Sequence, residues 1–399
     1  MKERDTMKKK DLSYIMYIFL LLFPFIDFVT GIATWEGWLS IGLLVKGLLL
    51  VYAVFYLFKH EYKRKPLWVL FFLILGYSIV YLSIHSEAFF IEVSNLIKIF
   101  YLPILILFFT YYKNPYLNKK FMTWLLLFYL LLYLVPYVFG LGHNISEVYP
   151  NKELYLSYFY IGNELANVFI ILIPIAFSYL IMNKKSILLL FAVLVLFMLL
   201  LLGTKAMYLS MVFILVYFLW YYRKKIGTFL KSHFKKVLIP IVVLLLAIGF
   251  YLPRSSLVQN IKTTLEYYEI ETLTDMFSLE RIDQVIYSNR LTFLYNVHQV
   301  YMDSSLSSKF FGLGRAQIEQ IKDVEIDIFD IFYSIGIVGT LVYLGTFWYA
   351  IYSMKLKGLY LFVFCLLILI SCFSGHVLIS PMVSTYLALL VSVSKNENS

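Results

Sequence analysis

The chain has 399 residues, 61% of them hydrophobic, and its mean hydropathy is +0.81. A soluble protein of this size could not bury that much apolar surface, so the composition excludes a soluble globular fold and predicts an all-α, polytopic integral membrane protein. The formal net charge of +10 would indicate nucleic-acid binding in a soluble protein. Here the basic residues lie in short loops between apolar runs, so no nucleic-acid partner is predicted.

The amino terminus, MKERDTMKKKDLSYIMYIFLLLF, resembles a signal peptide because basic residues precede an apolar run. The length of the run and the presence of Asp27 favour an uncleaved first span. Apolar runs of this kind recur along the whole chain and predict about twelve transmembrane helices. The predicted spans are 12–33, 38–58, 67–85, 91–112, 121–140, 162–182, 186–203, 206–222, 237–252, 328–350, 358–374 and 378–394.

Basic residues gather in every second connection between these spans. The main basic connections are MKERDTMKKK, KHEYKRK, KNPYLNKK and RKKIGTFLKSHFKK. By the positive-inside rule these connections face the cytoplasm, which predicts a multi-pass protein of the cytoplasmic membrane with both termini inside. The basic excess then also attracts anionic lipid.

Two of the outward connections are long, residues 141–161 and residues 253–327. The second lies between predicted helices 9 and 10 and contains an apparent amphipathic helix over 281–303. Its apolar residues at helical spacing are Leu291, Leu294, Val297 and Tyr301. No linker or internal repeat is visible, so we predict a single transmembrane domain, 1–399, with 253–327 as an extracytoplasmic loop insertion carrying short amphipathic helices.

Basic residues of the outward segments are candidates for binding an anionic group. They are Lys205 in LGTKAMYLS, Arg281, Arg290 in SNRLTFL and Arg315 in FGLGRAQ. Arginine holds phosphate through its planar fork and lysine holds it as a point charge. These residues therefore suit a reaction with an anionic leaving group.

The stretch KDVEIDIFD places four acids before an apolar span, namely Asp323, Glu325, Asp327 and Asp330. Several of them share a face in either a helix or an extended segment. Four carboxylates without cations would repel one another, so the loop arginines are the expected counter-charges, and a carboxylate could act as general base. The alternative is a solvated rim, or, for the last two acids, a favourable interaction with the helix dipole.

Other polar residues have both a functional and a structural interpretation. Three charged residues fall inside predicted spans, namely Asp27, Lys46 and Lys98. Either Asp27 pairs with one of the two lysines, or the charged groups extend to the membrane surface. The YIGNELANVFI stretch and the turn before the last span place further polar groups on the outer side. These groups are Asn163, Glu164, Asn167 and His376. Their two interpretations are that they line a sugar site or that they cap and support helices. The Glu-x-Asp of VEID is too common to predict a metal site, and no cofactor is predicted.

An ordered set of motifs resembles the O-antigen ligase/polymerase superfamily, and in particular the branch found in Gram-positive envelope-polysaccharide clusters. The motifs are PFIDFVTGI, GNELANVFIILIP, GTKAMYLS, SNRLTFL followed by FFGLG, DIFDIFYSIGIVGTLVYL and SGHVLISPMVSTYLALL. They run through most of the chain in the order of the family.

The resemblance implies a fold related to membrane-embedded type C glycosyltransferases and a polyprenyl-diphosphate-linked glycan as donor. Arg290 in SNR matches a loop arginine of the family that contacts the lipid diphosphate, and Lys205 in GTK matches a basic position at the preceding outer turn. Ligase members carry a histidine just before the G-x-x-G span, where this chain has DIFD. That departure favours a carboxylate, Asp327 or Asp330, and favours polymerase over ligase.

The resulting prediction is polymerisation of undecaprenyl-diphosphate-linked repeat units into a capsule, O-antigen or teichuronic-type polysaccharide. Arg290, Lys205 and Arg315 would stabilise the diphosphate, one of the two aspartates would act on the acceptor hydroxyl, and the sugar site would contain Asn163, Glu164 and His376. Expected partners are the lipid-linked oligosaccharide, membrane lipid, a flippase and a chain-length regulator. The alternatives are a ligase, a lipid-linked glycan flippase, which should show matching halves, and a sensor or scaffold.

Overall fold

The structure, a computed structural model, describes residues 2–38, 40–61, 64–145, 154–183, 185–221, 255–268 and 278–398, with the single residues 223, 249, 253 and 270. The helices before the long loop are α1 (Lys2–Leu21), α2 (Phe23–Trp35), α3 (Ile41–His60), α4 (Lys65–Ile84), α5 (Phe89–Tyr111), α6 (Lys119–Val138), α7 (Gly162–Asn183), α8 (Lys185–Leu202) and α9 (Lys205–Tyr221). The later helices are α10 (Ser256–Tyr267), α11 (Leu279–Ile282), α12 (Arg290–Asp303), α13 (Leu306–Phe311), α14 (Arg315–Ile321), α15 (Asp327–Met354), α16 (Gly358–Ser371) and α17 (Pro381–Asn398).

Six of the described helices are long and apolar enough to cross a membrane, or seven if the bent pair α1–α2 forms one span. The six are α3, α4, α5 with the short turn before it, α6, α7 and α15. Shorter apolar helices include α9, α16 and part of α8. These helices confirm a polytopic helical membrane protein, whereas the count of twelve spans and the position of the long loop between helices 9 and 10 stay predictions. The ninth predicted span, 237–252, lies almost entirely outside the described residues.

The centre of the bundle is formed by α5 and α7, in each of which 78% of the most apolar window is buried. Helix α5 packs on α3, α15 and α17, and α7 packs on α6, α16 and α17. Only 17% of the corresponding window of α4 is buried, so this helix lies at the periphery. Its exposed apolar side chains cost little free energy in a membrane, because lipid tails are as apolar as the side chains themselves.

A buried ion pair links the first helices to the centre of the bundle. Lys46 of α3 pairs with Asp27 of α2, and both residues are buried. The Tyr129 hydroxyl of α6 donates to the same carboxylate at 2.5 Å, and the Tyr386 hydroxyl of α17 lies 3.0 Å from the Tyr129 hydroxyl. Of the alternatives that the sequence left open for Asp27, the structure has the pair with Lys46. A charge pair inside a membrane requires such additional hydrogen bonds, because its desolvation is costly.

The connections gather at two opposite ends of the bundle. At the first, which we call the basic end, the Asn114 side chain contacts the Ser13 carbonyl at 2.8 Å and Asn396 contacts the Asn114 carbonyl at 2.6 Å. Lys119 pairs with Glu397 at the same end. At the second, the loop end, the connection between α16 and α17 meets α12, α15 and α7. Helices α1 and α17 thus both contact the connection after α5, at the end where basic connections lie.

A short antiparallel hairpin occupies part of the predicted outward segment 141–161. Strand β1 (His143–Asn144) pairs with β2 (Tyr155–Ser157), and residues 146–153 between them lie outside the described part. The His143 ring stacks on Trp35 at the end of α2, with 4.3 Å between ring centroids. The Tyr133 hydroxyl of α6 donates to the Tyr155 carbonyl at 2.6 Å. The hairpin is therefore fixed to α2 and α6 at the loop end.

The sequence predicts one amphipathic helix over 281–303, and this prediction is wrong because the helix is interrupted. Helix α11 ends at Ile282, a π-helical turn follows over 283–287, and α12 begins only at Arg290. Ser288 and Asn289 between them have φ angles of 55° and 67°, in the left-handed region. The break is stabilised because the side chain of Asp283 accepts hydrogen bonds from the first turn of α12.

Helix α15 is broken within its length at Gly336, where φ is 66° and ψ is −171°. The segment between α13 and α14 packs into this break: Leu313 N donates to the Tyr333 carbonyl at 2.8 Å and Gly314 N to the Ser334 carbonyl at 3.2 Å. A side chain at position 336 would overlap the backbone of Gly312. Only glycine adopts this conformation readily, so Gly336 determines where the long loop docks on α15.

Candidate functional site

The turn between α16 and α17, residues 373–378, organises the candidate site. The fully buried Asp327, the first residue of α15, accepts three backbone hydrogen bonds from this turn. Its Oδ1 accepts from His376 N at 2.7 Å, and its Oδ2 accepts from Val377 N at 2.8 Å and Leu378 N at 2.7 Å. His376 has a φ of 70°, and the carboxylate holds this left-handed turn in place.

Arg290 lies against the same turn. It is the first residue of α12 and its position follows from the break at 288–289, which directs the side chain inward. Its Nη1 donates to the Phe373 carbonyl at 3.2 Å and its Nη2 to Glu325 Oε2 at 3.1 Å. The residue is only 9% exposed, and its buried Nε has no hydrogen-bond partner in the described part of the chain. These two bonds use two of the five N–H donors of the guanidinium.

Glu325 is the acid of the KDVEIDIFD stretch that faces Arg290. Its φ of 59° is left-handed, and its carbonyl accepts from Gly375 N at 2.7 Å. Gly375 leaves room for this approach, because a Cβ there would lie 2.9 Å from the Glu325 carbonyl. The Glu325 side chain is 31% exposed, so its carboxylate is accessible beside the arginine.

Lys205 reaches the same region from the connection between α8 and α9. Gly203, with a φ of 56°, turns the chain so that Lys205 begins α9 at the loop end. Its Nζ donates to the Val285 carbonyl, in the π-helical turn just before Arg290. Two predicted diphosphate-binding cations, Lys205 and Arg290, are thus brought to one loop structure from positions far apart in the sequence.

Arg315 belongs to a separate cluster on α14. Its Nε donates to Glu319 at 2.9 Å and its Nη2 to Asp323 at 2.6 Å. Burial lowers the pKa of the guanidinium, but the neighbouring Asp323 and Glu319 carboxylates raise it by more. The backbone N–H groups of Arg315 and Ala316 are bound by the buried Glu92 of α5, each at 2.9 Å. Glu319 and Asp323 therefore occupy the Nε and Nη2 donors of Arg315 within the loop.

Asp330 lies one turn into α15 and is 5% exposed. Its Oδ1 accepts from Val324 N at 3.0 Å, so it fixes the segment that leads from Asp323 to Asp327. Asp323 has one oxygen on Arg315, while its buried Oδ1 has no partner among the described residues. The acids of this stretch consequently have different surroundings and do not form one cluster around a single cation.

Two of the predicted sugar-site residues, Asn167 and His376, meet at the 373–378 turn. The Asn167 amide of α7 donates to the His376 carbonyl at 3.4 Å, and its buried Oδ1 has no partner in the described part of the chain. Asn163 and Glu164 lie in the first turn of the same helix and are half-buried, as is His376. Asn167 thus joins the start of α7 to the turn that Asp327 holds.

No group of three His, Cys, Asp or Glu residues that could hold a metal ion occurs among the residues described by the structure. In the VEID stretch, Glu325 faces an arginine and Asp327 faces backbone N–H groups. These surroundings are unsuitable for a cation, because the carboxylates already interact with positive charge or hydrogen-bond donors.

Comparison with known families identifies the chain. A model described as "O-antigen ligase like membrane protein" matches residues 9–276 and 273–394, which together cover most of the sequence. The chain belongs to the O-antigen ligase-like family. None of the curated proteins compared with it matches. The resemblance of the ordered motifs to this superfamily is confirmed, whereas the Gram-positive polymerase branch stays a prediction.

Membership of the O-antigen ligase-like family indicates a membrane glycan-transfer enzyme. For this O-antigen ligase-like protein, sequence reasoning selected Arg290, Lys205 and Asp327, which the structure places at one end of the bundle. It did not select Glu325 individually, although the residue lay within the acid stretch. Glu92 was missed entirely, and its only signal was an acid near the start of an apolar span, FFIEVSN.

The arrangement combines an arginine, a lysine and a partly exposed carboxylate at one end of the membrane domain. A guanidinium beside an acid can stabilise negative charge that develops on a leaving group while the acid accepts a proton. The 373–378 turn connects these groups to the start of α7. The loop end of the O-antigen ligase-like protein is therefore the candidate site for glycan transfer.

Proposed function

We propose that this protein polymerises polyprenyl-diphosphate-linked oligosaccharide repeat units into a cell-surface polysaccharide on the outer face of the cytoplasmic membrane. The observation that carries the proposal is Arg290, which lies against the 373–378 turn and pairs with the partly exposed Glu325. Arginine binds phosphate groups through several N–H donors at once. The positive-inside rule places the loop end outside and both termini in the cytoplasm.

In the proposed reaction, a hydroxyl of the acceptor repeat unit attacks the anomeric carbon of the donor glycan. A new glycosidic C–O bond forms, the C–O bond to the diphosphate breaks, and polyprenyl diphosphate leaves with the bonding electrons. The acceptor proton passes to a protein carboxylate. Arg290 and Lys205 stabilise the charge on the departing diphosphate. Arg315, whose guanidinium is held by Glu319 and Asp323, supports the loop and acts only indirectly.

We assign the proton acceptor to Glu325, and this assignment refines the sequence-based hypothesis of Asp327 or Asp330. Both Asp327 oxygens accept backbone hydrogen bonds and Asp330 is held by Val324 N. Glu325 instead combines proximity to Arg290 with a 31% exposed side chain. Asp327 is then a positioning residue, since it holds the turn against which Arg290 rests.

The acceptor glycan is proposed to bind between the start of α7 and the 373–378 turn, at Asn163, Glu164 and His376. These side chains offer donors and acceptors of the kind that bind sugar hydroxyls. A second copy of the lipid-linked oligosaccharide is the acceptor, and a flippase and a chain-length regulator are the expected protein partners. No cofactor takes part in the proposed step.

The proposal is tested by polymer-length analysis of strains that carry Arg290→Lys or Glu325→Gln, with protein levels measured in parallel. Arg290→Lys keeps the charge but removes the fork, and Arg281→Lys makes the same change at another loop position. We expect polymer formation to fall roughly tenfold or more for the first two variants and to stay unchanged for the third. Normal chain length at normal expression of Arg290→Lys would remove the assignment.

A ligase is the second candidate, because the matched family is described as O-antigen ligase-like. Purified protein supplied only with lipid-linked repeat units distinguishes the functions. A polymerase forms longer lipid-linked chains from this single substrate. A ligase forms a conjugate only after a different acceptor is added, and a flippase moves the lipid-linked glycan across the membrane without lengthening it.

A further inference from the structure

A cavity of about 300 Å³ lies at the basic end, opposite the candidate site. Its walls come from the ends of α6, α7, α9 and α16 at the basic end and from the last turn of α17. By the positive-inside rule these ends face the cytoplasm. The lining residues that bear on its chemistry are Lys119, Ser178, Tyr217, Lys357, Tyr360 and Glu397.

The cavity carries an excess of positive charge. Among its described lining residues, two lysines and one glutamate leave an excess of one positive charge. Lys119 is neutralised by Glu397, with Nζ and Oε2 2.7 Å apart, and it also lies over the Tyr360 ring at 5.8 Å from the centroid. Lys357 is exposed and forms no ion pair in the described part of the chain. Among the described lining residues, the unneutralised charge is therefore that of Lys357.

The buried Tyr360 hydroxyl in the wall has no hydrogen-bond acceptor within the part of the chain that the structure describes. Tyr360 is 5% exposed, and its hydroxyl faces Glu397 without meeting it in hydrogen-bond geometry. A buried donor without a partner is unfavourable, so an additional acceptor in the cavity would stabilise the protein. Ser178, also buried, contributes a second hydroxyl to the lining. The cavity thus offers one ammonium group and two hydroxyl donors.

We propose that this cavity binds the phosphodiester head group of an anionic membrane lipid, with Lys357 as its charge partner and the Ser178 and Tyr360 hydroxyls as donors. A phosphodiester carries one negative charge, which equals the excess on the lining residues that the structure describes. Basic pockets between transmembrane helices on the cytoplasmic side are suited to anionic lipid head groups. The aromatic wall at Tyr217 provides an apolar surface for the glycerol part of the lipid. This site is independent of the proposed glycan transfer.

The test is thermal unfolding of the purified full-length protein in detergent, titrated with dioleoyl phosphatidylglycerol or dioleoyl phosphatidylcholine. A ligand that binds only the folded state raises Tm with concentration. We expect phosphatidylglycerol to raise Tm more than phosphatidylcholine does. Lys357→Gln should weaken the apparent affinity for phosphatidylglycerol roughly tenfold, the loss expected for one charged hydrogen bond.

Lys355→Gln is the matched control, because Lys355 is exposed in the same connection but does not line the cavity. It should keep the full response to phosphatidylglycerol. Tyr360→Phe removes only the buried hydroxyl and should also weaken the response, which provides a second variant if Lys357→Gln folds poorly. An equal response of Lys357→Gln and Lys355→Gln would overturn the site, and so would equal stabilisation by phosphatidylcholine. Stabilisation by inorganic phosphate as strong as that by phosphatidylglycerol would overturn the assignment to a lipid.

Discussion

Asp327→Asn should destabilise the loop end, although it replaces a single oxygen by an amide nitrogen. The two carboxylate oxygens accept from His376 N, Val377 N and Leu378 N at distances between 2.7 and 2.8 Å. Asparagine has only one acceptor oxygen. Its amide group must therefore face at least one backbone N–H, which places two donors against each other in a buried site.

The expected cost follows from these contacts. The least damaging orientation keeps the oxygen on the two N–H groups of Val377 and Leu378 and turns the amide toward His376. One charge-assisted hydrogen bond, worth about 1.5–3 kcal/mol, is lost, and a buried donor is left unsatisfied. The neutral amide is easier to bury than a carboxylate, which offsets part of the loss. We expect a net decrease of about 2–4 kcal/mol in the free energy of unfolding.

Thermal unfolding in detergent measures this change, with Asp303→Asn as control. Asp303 is an exposed carboxylate at the end of α12, so its substitution should alter stability by no more than about 0.5 kcal/mol. If the two variants unfold at the same temperature, Asp327 does not hold the turn. If Asp327→Asn is stable but forms no polymer, the carboxylate acts on substrate and the positioning role is wrong.

Three further predictions concern the rest of the described structure. Gly336→Ala should lower the free energy of unfolding by about 3 kcal/mol, because the backbone conformation there suits only glycine. Gly345→Ala in the same helix is the control: its added Cβ meets no atom within 4 Å, so it should be neutral or slightly stabilising. The unfolding temperatures of the two variants test this. Lys46→Met should lower the free energy of unfolding by about 3–5 kcal/mol, because its partner Asp27 then stays buried without a counter-charge. A double variant that also replaces Asp27 by a neutral residue should recover much of this loss. Burial lowers the pKa of His85 below its usual value, so the unfolded chain binds a proton more readily and stability falls as the pH drops below about 6.5. His85→Gln should make acid unfolding measurably less steep, and an unchanged slope would contradict this.

The helical architecture could be predicted because hydropathy is a local property of the sequence. Each long apolar run forms its own helix wherever lipid is the solvent, since every backbone group is then satisfied within the helix. The charge pattern likewise predicted both termini on one side of the membrane, and Ser13 of α1 and Asn396 of α17 both contact Asn114 at the basic end. The break before Arg290 was not predicted, because the apolar spacing of 281–303 continues through it. It depends on Asp283 capping α12, which a periodic pattern does not reveal.

The sequence alone determined the membrane class, the separation of basic and acidic connections and the residue types available for phosphate chemistry. Tertiary structure decided which of those residues act together. Asp327 and the N–H groups it binds are about 50 positions apart, and Arg290 and Glu325 are 35 apart. The physical reason is that a charge selects its partner through short distances in space, after helix packing and glycine-dependent turns have brought remote segments together.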